Sequence, residues 1–364
     1  MHKTAAWPLS LMYVVLVVYA SLYPFAEWRD QGIAPWAFLS APLPRYWTGF
    51  DVAINVAGYV PMGFLLALAA FRTGRRRSAV VLSVLMAGLL SLVMESVQSY
   101  LPARVASNVD LALNILGAFV GAWSVWALGA MGGLERWSLL RARWFVPDAR
   151  GGLVLLALWP MALIFPAAVP FGLGQVFERV EAALGEALQD TPFLVWLPVR
   201  DIEMQPMEPI TEWLCVTLGL LIPCLLSFCI VRSPWRRACF VFLIFSVGFA
   251  TTALSGALSY GPEHAWAWLG LPAQSGLVSA FIVVLALLWL PQRVGAALLL
   301  LALGTWLSLL NQASASPYFA QTLATWEQGR FMRFNGLAQW LGWLWPYVAL
   351  IYVVMLVAHD DAKN

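Results

Sequence analysis

Apolar residues along the chain gather into ten blocks, most of them close to 20 residues long, with short polar stretches between them. About 20 residues of α-helix cross a hydrocarbon core of about 30 Å. Lipid offers exposed backbone groups no hydrogen-bond partner, so such blocks are expected to be helices. The pattern predicts an all-α, polytopic integral membrane bundle of about ten transmembrane helices. Their approximate cores are 7–25, 51–71, 78–100, 109–131, 151–170, 211–231, 238–258, 273–290, 294–312 and 337–358.

The composition agrees with a membrane protein and excludes two other classes. Hydrophobic residues make up 61% of the 364 residues and charged residues 11%, with a mean hydropathy of +0.77. A soluble domain usually carries about 25% charged residues, so this chain has too little charge to coat a water-facing surface. The net charge of +2 gives no electrostatic basis for binding nucleic acid. Membrane lipids are the expected partners.

The distribution of Lys and Arg predicts the orientation in the membrane. With the N-terminus inside, the inner segments hold 14 of these residues and the outer segments hold 7, which accounts for all 21. Cytoplasmic loops of membrane proteins carry the excess of basic residues. The sequence therefore predicts an N-in, C-in topology.

Two membrane modules are predicted on either side of a basic loop. Residues 1–131 form a four-helix module, residues 132–150 a basic cytoplasmic loop, and residues 151–364 a six-helix module. The second module has a large acidic outer loop at about 171–210. Apolar residues between Val176 and Leu188 recur there at helical spacing, which predicts an amphipathic helix. This helix lies either on the outer membrane surface or against the ends of the bundle.

Polar residues in the first module follow one face of each of its last three helices. A polar side chain at membrane depth needs a partner other than lipid, and small residues beside it permit close helix contact. The three stripes should therefore face one another or a shared cavity. Their members, at spacings of three and four, are Asp51, Asn55, Gly58 and Met62; Gly88, Ser91, Glu95 and Gln98; and Asp110, Asn114, Gly117 and Gly121.

The carboxylates and amides of these stripes fall in the outer half of the membrane under the predicted topology. Arg104 lies in the short outer loop between the third and fourth helices, and we expect it to reach one of the carboxylates. Structural explanations stand beside the functional one: helix caps for the two Asp residues, interhelical bonds for the amides and a structural lock for Arg104. The candidate ligand-binding residues are Asp51, Asn55, Ser91, Glu95, Gln98, Arg104, Asp110 and Asn114.

The same residues carry a resemblance to a known family. Three runs resemble the signatures of the VanZ-like family in order and spacing, over roughly residues 7–130. Tyr59 stands where the family often has Phe, and the acidic cluster before the last run is thinner. The runs are Asp51-x-x-x-Asn55-x-x-x-Tyr59-x-Pro61-x-Gly63; Ser91-x-x-x-Glu95-x-x-Gln98; and Arg104 followed by Asp110-x-x-x-Asn114-x-x-Gly117-x-x-x-Gly121.

The resemblance implies a multi-pass protein of the bacterial inner membrane with a role in the cell envelope. The family is named for a protein that gives low-level teicoplanin resistance, an antibiotic-resistance phenotype, and its biochemical activity is not established. The resemblance therefore indicates a site more firmly than a reaction. It does not extend to residues 151–364.

Three functions are compatible with such a site. The first is binding of an amphiphile from the outer leaflet, either a lipid-linked glycan intermediate of the envelope or a glycopeptide antibiotic. The second is an intramembrane enzyme with Glu95 as candidate catalytic general base and Asp110 as its electrostatic partner. The third, a proton-coupled carrier, is disfavoured because segments two to four have no inner-half carboxylate. The sequence favours binding.

No cofactor and no metal site are expected. The four cysteines lie in or beside apolar segments without a C-x-x-C pair, and the three histidines are far apart in sequence. The remaining polar residues of the second module are interpreted as solvated ends of helices. They are Glu212, Glu263, His264, Arg330, Arg333 and Gln339.

Overall fold

The computed structural model describes residues 6–23, 25, 27–43, 48–196, 207–312 and 332–361. Within these ranges α-helix dominates, and β-type pairing is limited to a single bridge between Phe145 and Val231. The chain divides into two compact units, Met1–Leu140 and Arg141–Asn364. The predicted all-helical architecture is confirmed.

The first unit contains four long helices and part of a fifth. They are α1 (Ala6–Leu22), α2 (Gly49–Arg72), α3 (Ala79–Gln98), α4 (Asn108–Ala130) and α5 (Gly133–Trp144), which runs across the unit boundary. A short 3₁₀ turn, Ala37–Ser40, lies between α1 and α2. Helix α2 packs most extensively against α4, and both contact α3.

The second unit is built around a buried helix. Its helices are α6 (Arg150–Leu163), α7 (Phe177–Leu188), α8 (Pro209–Ile230), α9 (Pro234–Tyr260), α10 (Leu271–Ala286), α11 (Gln292–Gln312) and α12 (Met332–Asp361). The 3₁₀ turns Pro192–Trp196 and Pro262–His264 complete it. In α8, 83% of the most apolar 18-residue window is buried, and this helix contacts α6, α9, α10 and α11. Helix α8 is the centre of the unit.

All ten predicted apolar segments form helices, and seven of these are long and apolar enough to cross a membrane. The other three, Ala6–Leu22, Arg150–Leu163 and Leu271–Ala286, are 17, 14 and 16 residues long. The segment predicted at 151–170 ends early because Pro160, Pro166 and Pro170 lie in or after its last turn. The segments at 273–290 and 294–312 form two separate helices, as predicted.

The helix starts follow ordinary capping chemistry. The Thr48 hydroxyl accepts the backbone N–H of Asp51, while the Asp51 carboxylate accepts the N–H of Thr48, which is a capping box. The Ser107 hydroxyl caps α4 by accepting the N–H of Asp110. Proline stands in the first turn of α8, α9 and α10, where no intrahelical N–H is needed.

The predicted basic loop at 132–150 is largely helical, because α5 occupies Gly133–Trp144. A helix forms here since apolar and basic residues alternate without an internal Gly or Pro until Pro147. Its first turn carries Glu135, which pairs with Arg76 at 3.4 Å, and its last turn carries Arg141 and Arg143. These charges match the helix dipole.

The predicted amphipathic helix exists as α7, and its start is anchored to α11. The Asn311 side-chain oxygen accepts the N–H groups of Val176 and Phe177, each at 3.1 Å. The apolar side chains of Phe177, Val180 and Leu184 are exposed along one face. The location of this helix on a membrane surface stays a prediction. One part of the predicted outer loop, 197–206, lies outside the described residues, as do the topology residues Lys3, Arg45, Arg200, Arg330 and Lys363.

Candidate functional site

The site lies where α2, α3 and α4 meet, and glycines bring two of these helices together. A methyl group on Gly117 would overlap the carbonyl oxygen of Val56, and one on Gly121 would overlap that of Val60. From the other side, a methyl group on Gly63 would overlap the backbone of Ala118. The predicted close contact at Gly117 and Gly121 is confirmed. Backbone-to-backbone packing places the polar faces of the helices at hydrogen-bonding distance.

The first link of the site joins α2 to α4. The Asn55 amide donates to the Asp110 carboxylate at 2.8 Å, and both side chains are partly exposed. The backbone N–H of Asp110 is in turn capped by Ser107. Asp51 is close enough to Asp110 for the two carboxylates to repel each other. This end of the site therefore carries negative charge and is open to its surroundings.

The second link joins α3 to the start of α4 through Glu95. Its carboxylate accepts the backbone N–H of Ser107 at 2.8 Å, and only 5% of the residue is exposed. Ser107 therefore bonds to both residues: its N–H donates to the Glu95 carboxylate, and its hydroxyl accepts the backbone N–H of Asp110. A carboxylate buried at this depth in an apolar bundle is costly and is tolerated because it is partnered.

The third link is fully buried. The Asn114 amide donates to the Ser91 hydroxyl at 2.9 Å, and Ser91 also hydrogen-bonds the Tyr59 hydroxyl. Tyr59 lies within electrostatic range of Glu95, which connects this link to the second one. The side-chain oxygen of Asn114 is buried and has no hydrogen-bond partner among the described residues. The site thus ends in an acceptor that a ligand or a water molecule can satisfy.

These contacts define a polar cluster across three helices. Among the described residues it contains two carboxylates and no Lys or Arg, and it is open at the Asn55–Asp110 end and closed at the Asn114 end. Such an arrangement can accept hydrogen bonds from hydroxyl, amide or amine groups. The members of the polar cluster are Asn55, Tyr59, Ser91, Glu95, Ser107, Asp110 and Asn114.

Two of the predicted site residues make their hydrogen bonds outside the polar cluster. Asp51 is exposed and caps its own helix together with Thr48. The Gln98 amide donates to the carbonyl of Ser21 at 2.9 Å, so it joins α3 to α1. Both positions match the structural explanations that the sequence leaves open, the cap and the interhelical bond.

The expected contact of Arg104 with a carboxylate is wrong. Its guanidinium donates instead to the backbone carbonyls of Ala20 and Tyr23, at the C-terminal end of α1. The last carbonyls of a helix lack intrahelical donors and carry the negative end of the helix dipole, so a guanidinium is stabilised there. Arg104 fastens the loop before α4 to α1.

Sequence reasoning missed three contributors to the site. The hydroxyl of Tyr59 and the backbone N–H of Ser107 belong to the polar cluster, and Tyr13 supports it by donating to the Gly58 carbonyl at 2.8 Å. Tyr59 shares the stripe of Asn55, four residues earlier, so its spacing was a usable signal. The Ser107 amide and the Tyr13 contact depend on tertiary packing and left no local pattern.

The fold and the polar cluster define a polytopic, all-helical protein of the membrane type. Residues 6–129, about a third of the chain, match a family model, VanZ/LLP1, so this region is similar to the VanZ-like family. All members of the polar cluster lie inside the matched residues. No curated protein and no solved structure matches the chain.

Proposed function

We propose that the first unit, Met1–Leu140, which contains the matched residues 6–129 and is called the VanZ-like unit below, binds the head group of an amphiphile. This amphiphile comes from the outer leaflet of the bacterial cytoplasmic membrane. The observation that carries this proposal is the polar cluster itself, which links three apolar helices and ends in the Asn114 oxygen, a buried acceptor with no partner among the described residues. Interhelical bonding alone would need one or two such groups, each worth about 0.6 kcal/mol on average. Two carboxylates in one cluster are a costly way to join helices.

The membrane orientation is part of the same proposal. All ten apolar helices span the membrane, and both termini are on the inner side. The start of α2, the end of α3 and the start of α4 then lie on the outer side. Asn114 lies about 6 Å deeper than Asp110, at about 1.5 Å per helical residue. A ligand would enter beside Asn55 and Asp110 and reach towards Asn114.

The chemistry of the polar cluster indicates a ligand rich in hydrogen-bond donors. Carboxylate and amide oxygens pair with the hydroxyls of a sugar or the N–H groups of a peptide. A lipid-linked glycan intermediate of the envelope and a glycopeptide antibiotic both combine such a head group with an apolar part. Arg104 is left out of the proposed head-group site, because its guanidinium donates to backbone carbonyls of α1 and its end. The enzyme alternative, with Glu95 as general base, has no specific contact in its favour among the described residues.

The proposal is tested by untargeted lipid mass spectrometry on the purified protein and on Glu95→Gln. The amide keeps the size of the side chain but removes its charge, so we expect the variant to fold and to lose the co-purifying head-group lipid. Glu135→Gln is the matched control, because it removes an exposed carboxylate of the same unit. We expect it to retain the lipid.

Retention of the lipid by Glu95→Gln would contradict the binding proposal. If Glu95→Gln, folded to the same extent as the control, carries the same lipids as the unmodified protein, the carboxylate serves only helix packing and the binding proposal fails. The same variant should also lose any envelope or antibiotic phenotype of the gene. A fully active Glu95→Gln protein would contradict the assignment at its most buried charged residue.

A further inference from the structure

The second unit contains a cavity of about 340 Å³ that the sequence did not indicate. Its wall is formed by the end of α6, the segment 164–170, the start of α8, the end of α9 and the turn before α10. Pockets of about 300–1,000 Å³ are typical of small-molecule sites. The early end of α6 creates this space, because the proline-rich segment after Leu163 is not helical.

The charge of the cavity lining is negative. Among the described residues, Glu212 lines it and no Lys or Arg does so; His264 and Tyr260 are the other titratable residues of the described wall. The Glu212 carboxylate has no hydrogen bond or ion pair to any part of the chain that the structure describes. Its place in the first turn of α8 gives it some support from the helix dipole. The helix dipole explains why a carboxylate is tolerated at this position, but it does not explain why a cavity lies beside that carboxylate.

The apolar part of the wall is aromatic. Phe171 and Trp268 meet edge to face, with ring centroids 5.7 Å apart and planes at 90°, and Phe165 lines the same space. Phe171 holds a positive φ of 63°, which L residues rarely adopt, and only 1% of it is exposed. Strain of this kind persists where the surrounding packing enforces it and is concentrated at binding sites.

We propose that this cavity binds an organic ammonium ion, with Glu212 as its counter-ion and Trp268 as its aromatic wall. A carboxylate next to aromatic rings is the combination that recognises alkylammonium groups, since the ring face and the carboxylate both attract positive charge. Among the described residues no Lys or Arg lines the cavity to compete with a ligand cation, and the Glu212 carboxylate disfavours anionic ligands. The inference is independent of the amphiphile proposed for the VanZ-like unit.

The test uses the full-length purified protein in lipid nanodiscs and a pair of ligands of equal shape. Radiolabelled choline and its uncharged isostere 3,3-dimethylbutan-1-ol are compared by equilibrium dialysis at neutral pH. We expect saturable binding of choline and at least about tenfold weaker binding of the isostere. Equal binding of the two, or no saturable binding of choline, overturns the proposal.

Variants assign the binding to the cavity. Glu212→Gln and Trp268→Leu should each weaken choline binding by about tenfold or more. Glu263→Gln is the matched control, since Glu263 is an exposed carboxylate close in sequence to His264 that does not line the cavity. It should leave binding unchanged. Unaltered binding in both cavity variants, or equal loss in the control, overturns the assignment. Because the ligand pair is compared on the unmodified protein, the proposal can fail even if one variant does not fold.

A second arm separates a membrane source of the cation from a soluble one. Hexyltrimethylammonium carries the same head group as choline on an apolar tail. If its Glu212-dependent affinity exceeds that of choline, the cavity takes a membrane amphiphile. If the two affinities agree, it takes a soluble cation. Both results support the shared ammonium chemistry, and loss of Glu212 dependence for both ligands contradicts it.

Discussion

At the residue scale, the two asparagines of the polar cluster differ in their hydrogen-bond partners. Asn55 donates to a carboxylate, whereas Asn114 donates to a hydroxyl, and its own side-chain oxygen has no partner in the part of the chain that the structure describes. Hydrogen bonds to charged groups contribute about 1.5–3 kcal/mol, roughly twice the neutral value. An acceptor with no partner contributes no stability. The two residues should therefore separate structural from functional roles.

We expect Asn114→Leu to change the free energy of unfolding by less than about 1 kcal/mol and to abolish ligand binding. The replacement loses one neutral hydrogen bond and removes the unsatisfied oxygen, so the two effects offset each other. Asn55→Leu should cost about 1.5–3 kcal/mol, because Asp110 loses its donor. Unfolding of both variants in mixed micelles with sodium dodecyl sulfate provides the comparison. A larger loss for Asn114→Leu than for Asn55→Leu would show that Asn114 is mainly structural.

Side-chain patterns predicted some contacts of the site and not others. Spacing along each helix placed Asn55, Glu95 and Asn114 correctly, because a stripe needs only the helical repeat. Arg104 was misjudged because its partners are backbone carbonyls at the end of α1. Every residue has a carbonyl, so composition and spacing do not reveal which one is unsatisfied.

At the scale of helices, the close contact of α2 with α4 depends on glycines, which have no side chain to hold the two backbones apart. We expect Gly121→Ala to cost about 1–3 kcal/mol, since its methyl group would overlap the Val60 carbonyl and the helices would have to separate. The polar cluster should loosen with it. Gly58→Ala is the control, because its methyl group meets no atom within 4 Å and alanine favours the helix. Thermal unfolding of the two variants should show a lower midpoint for Gly121→Ala only.

A buried arginine organises the ends of three elements in the second unit. The Arg237 guanidinium donates to the carbonyls of Val231, Leu288 and Leu290, and only 5% of the residue is exposed. It thereby ties the start of α9 to the connection between α8 and α9 and to the turn after α10. Buried carbonyls without donors cost about 1–3 kcal/mol each.

We expect Arg237→Met to lower the free energy of unfolding by about 2–3 kcal/mol, because methionine keeps the apolar stem and removes the donors. Arg293→Met should have little effect, since Arg293 is exposed and its side chain makes no hydrogen bond or ion pair with the described residues. The same micelle titration measures both. Equal destabilisation of the two variants would mean that loss of positive charge, and not of the three carbonyl contacts, matters.

The observed lengths of the helices show which helix ends the hydrophobic pattern of the sequence does not predict. The ten apolar blocks were recognisable because each is a continuous apolar run. The end of α6 was placed too late, since residues 164–170 are as apolar as a helix but contain prolines that prevent one. The cavity of the second unit lies at that end, and no pattern of hydrophobicity would have located it.

At the scale of the whole molecule, the topology is the prediction on which the outer-leaflet proposal depends. In a variant with all four cysteines replaced, single cysteines at Leu43 or Val195 should react with an impermeant maleimide in intact cells. Cysteines at Arg75 or Leu139 should react only after the membrane is permeabilised, because basic loops stay inside. The native residues at all four labelling positions are exposed, so a difference in burial within the protein would not produce the expected labelling pattern. The reverse labelling pattern would place the polar cluster on the inner side.

Because the first unit ends at Leu140, the whole polar cluster is synthesised before the second unit. Its residues lie between Asn55 and Asn114, and the 224 residues after Leu140 take about 11–45 s to synthesise at about 5–20 residues per second. During that interval the ribosome is still making the second unit. The buried groups of the nascent chain must therefore be satisfied within α1 to α4, so these helices have to be self-sufficient before the rest of the protein exists.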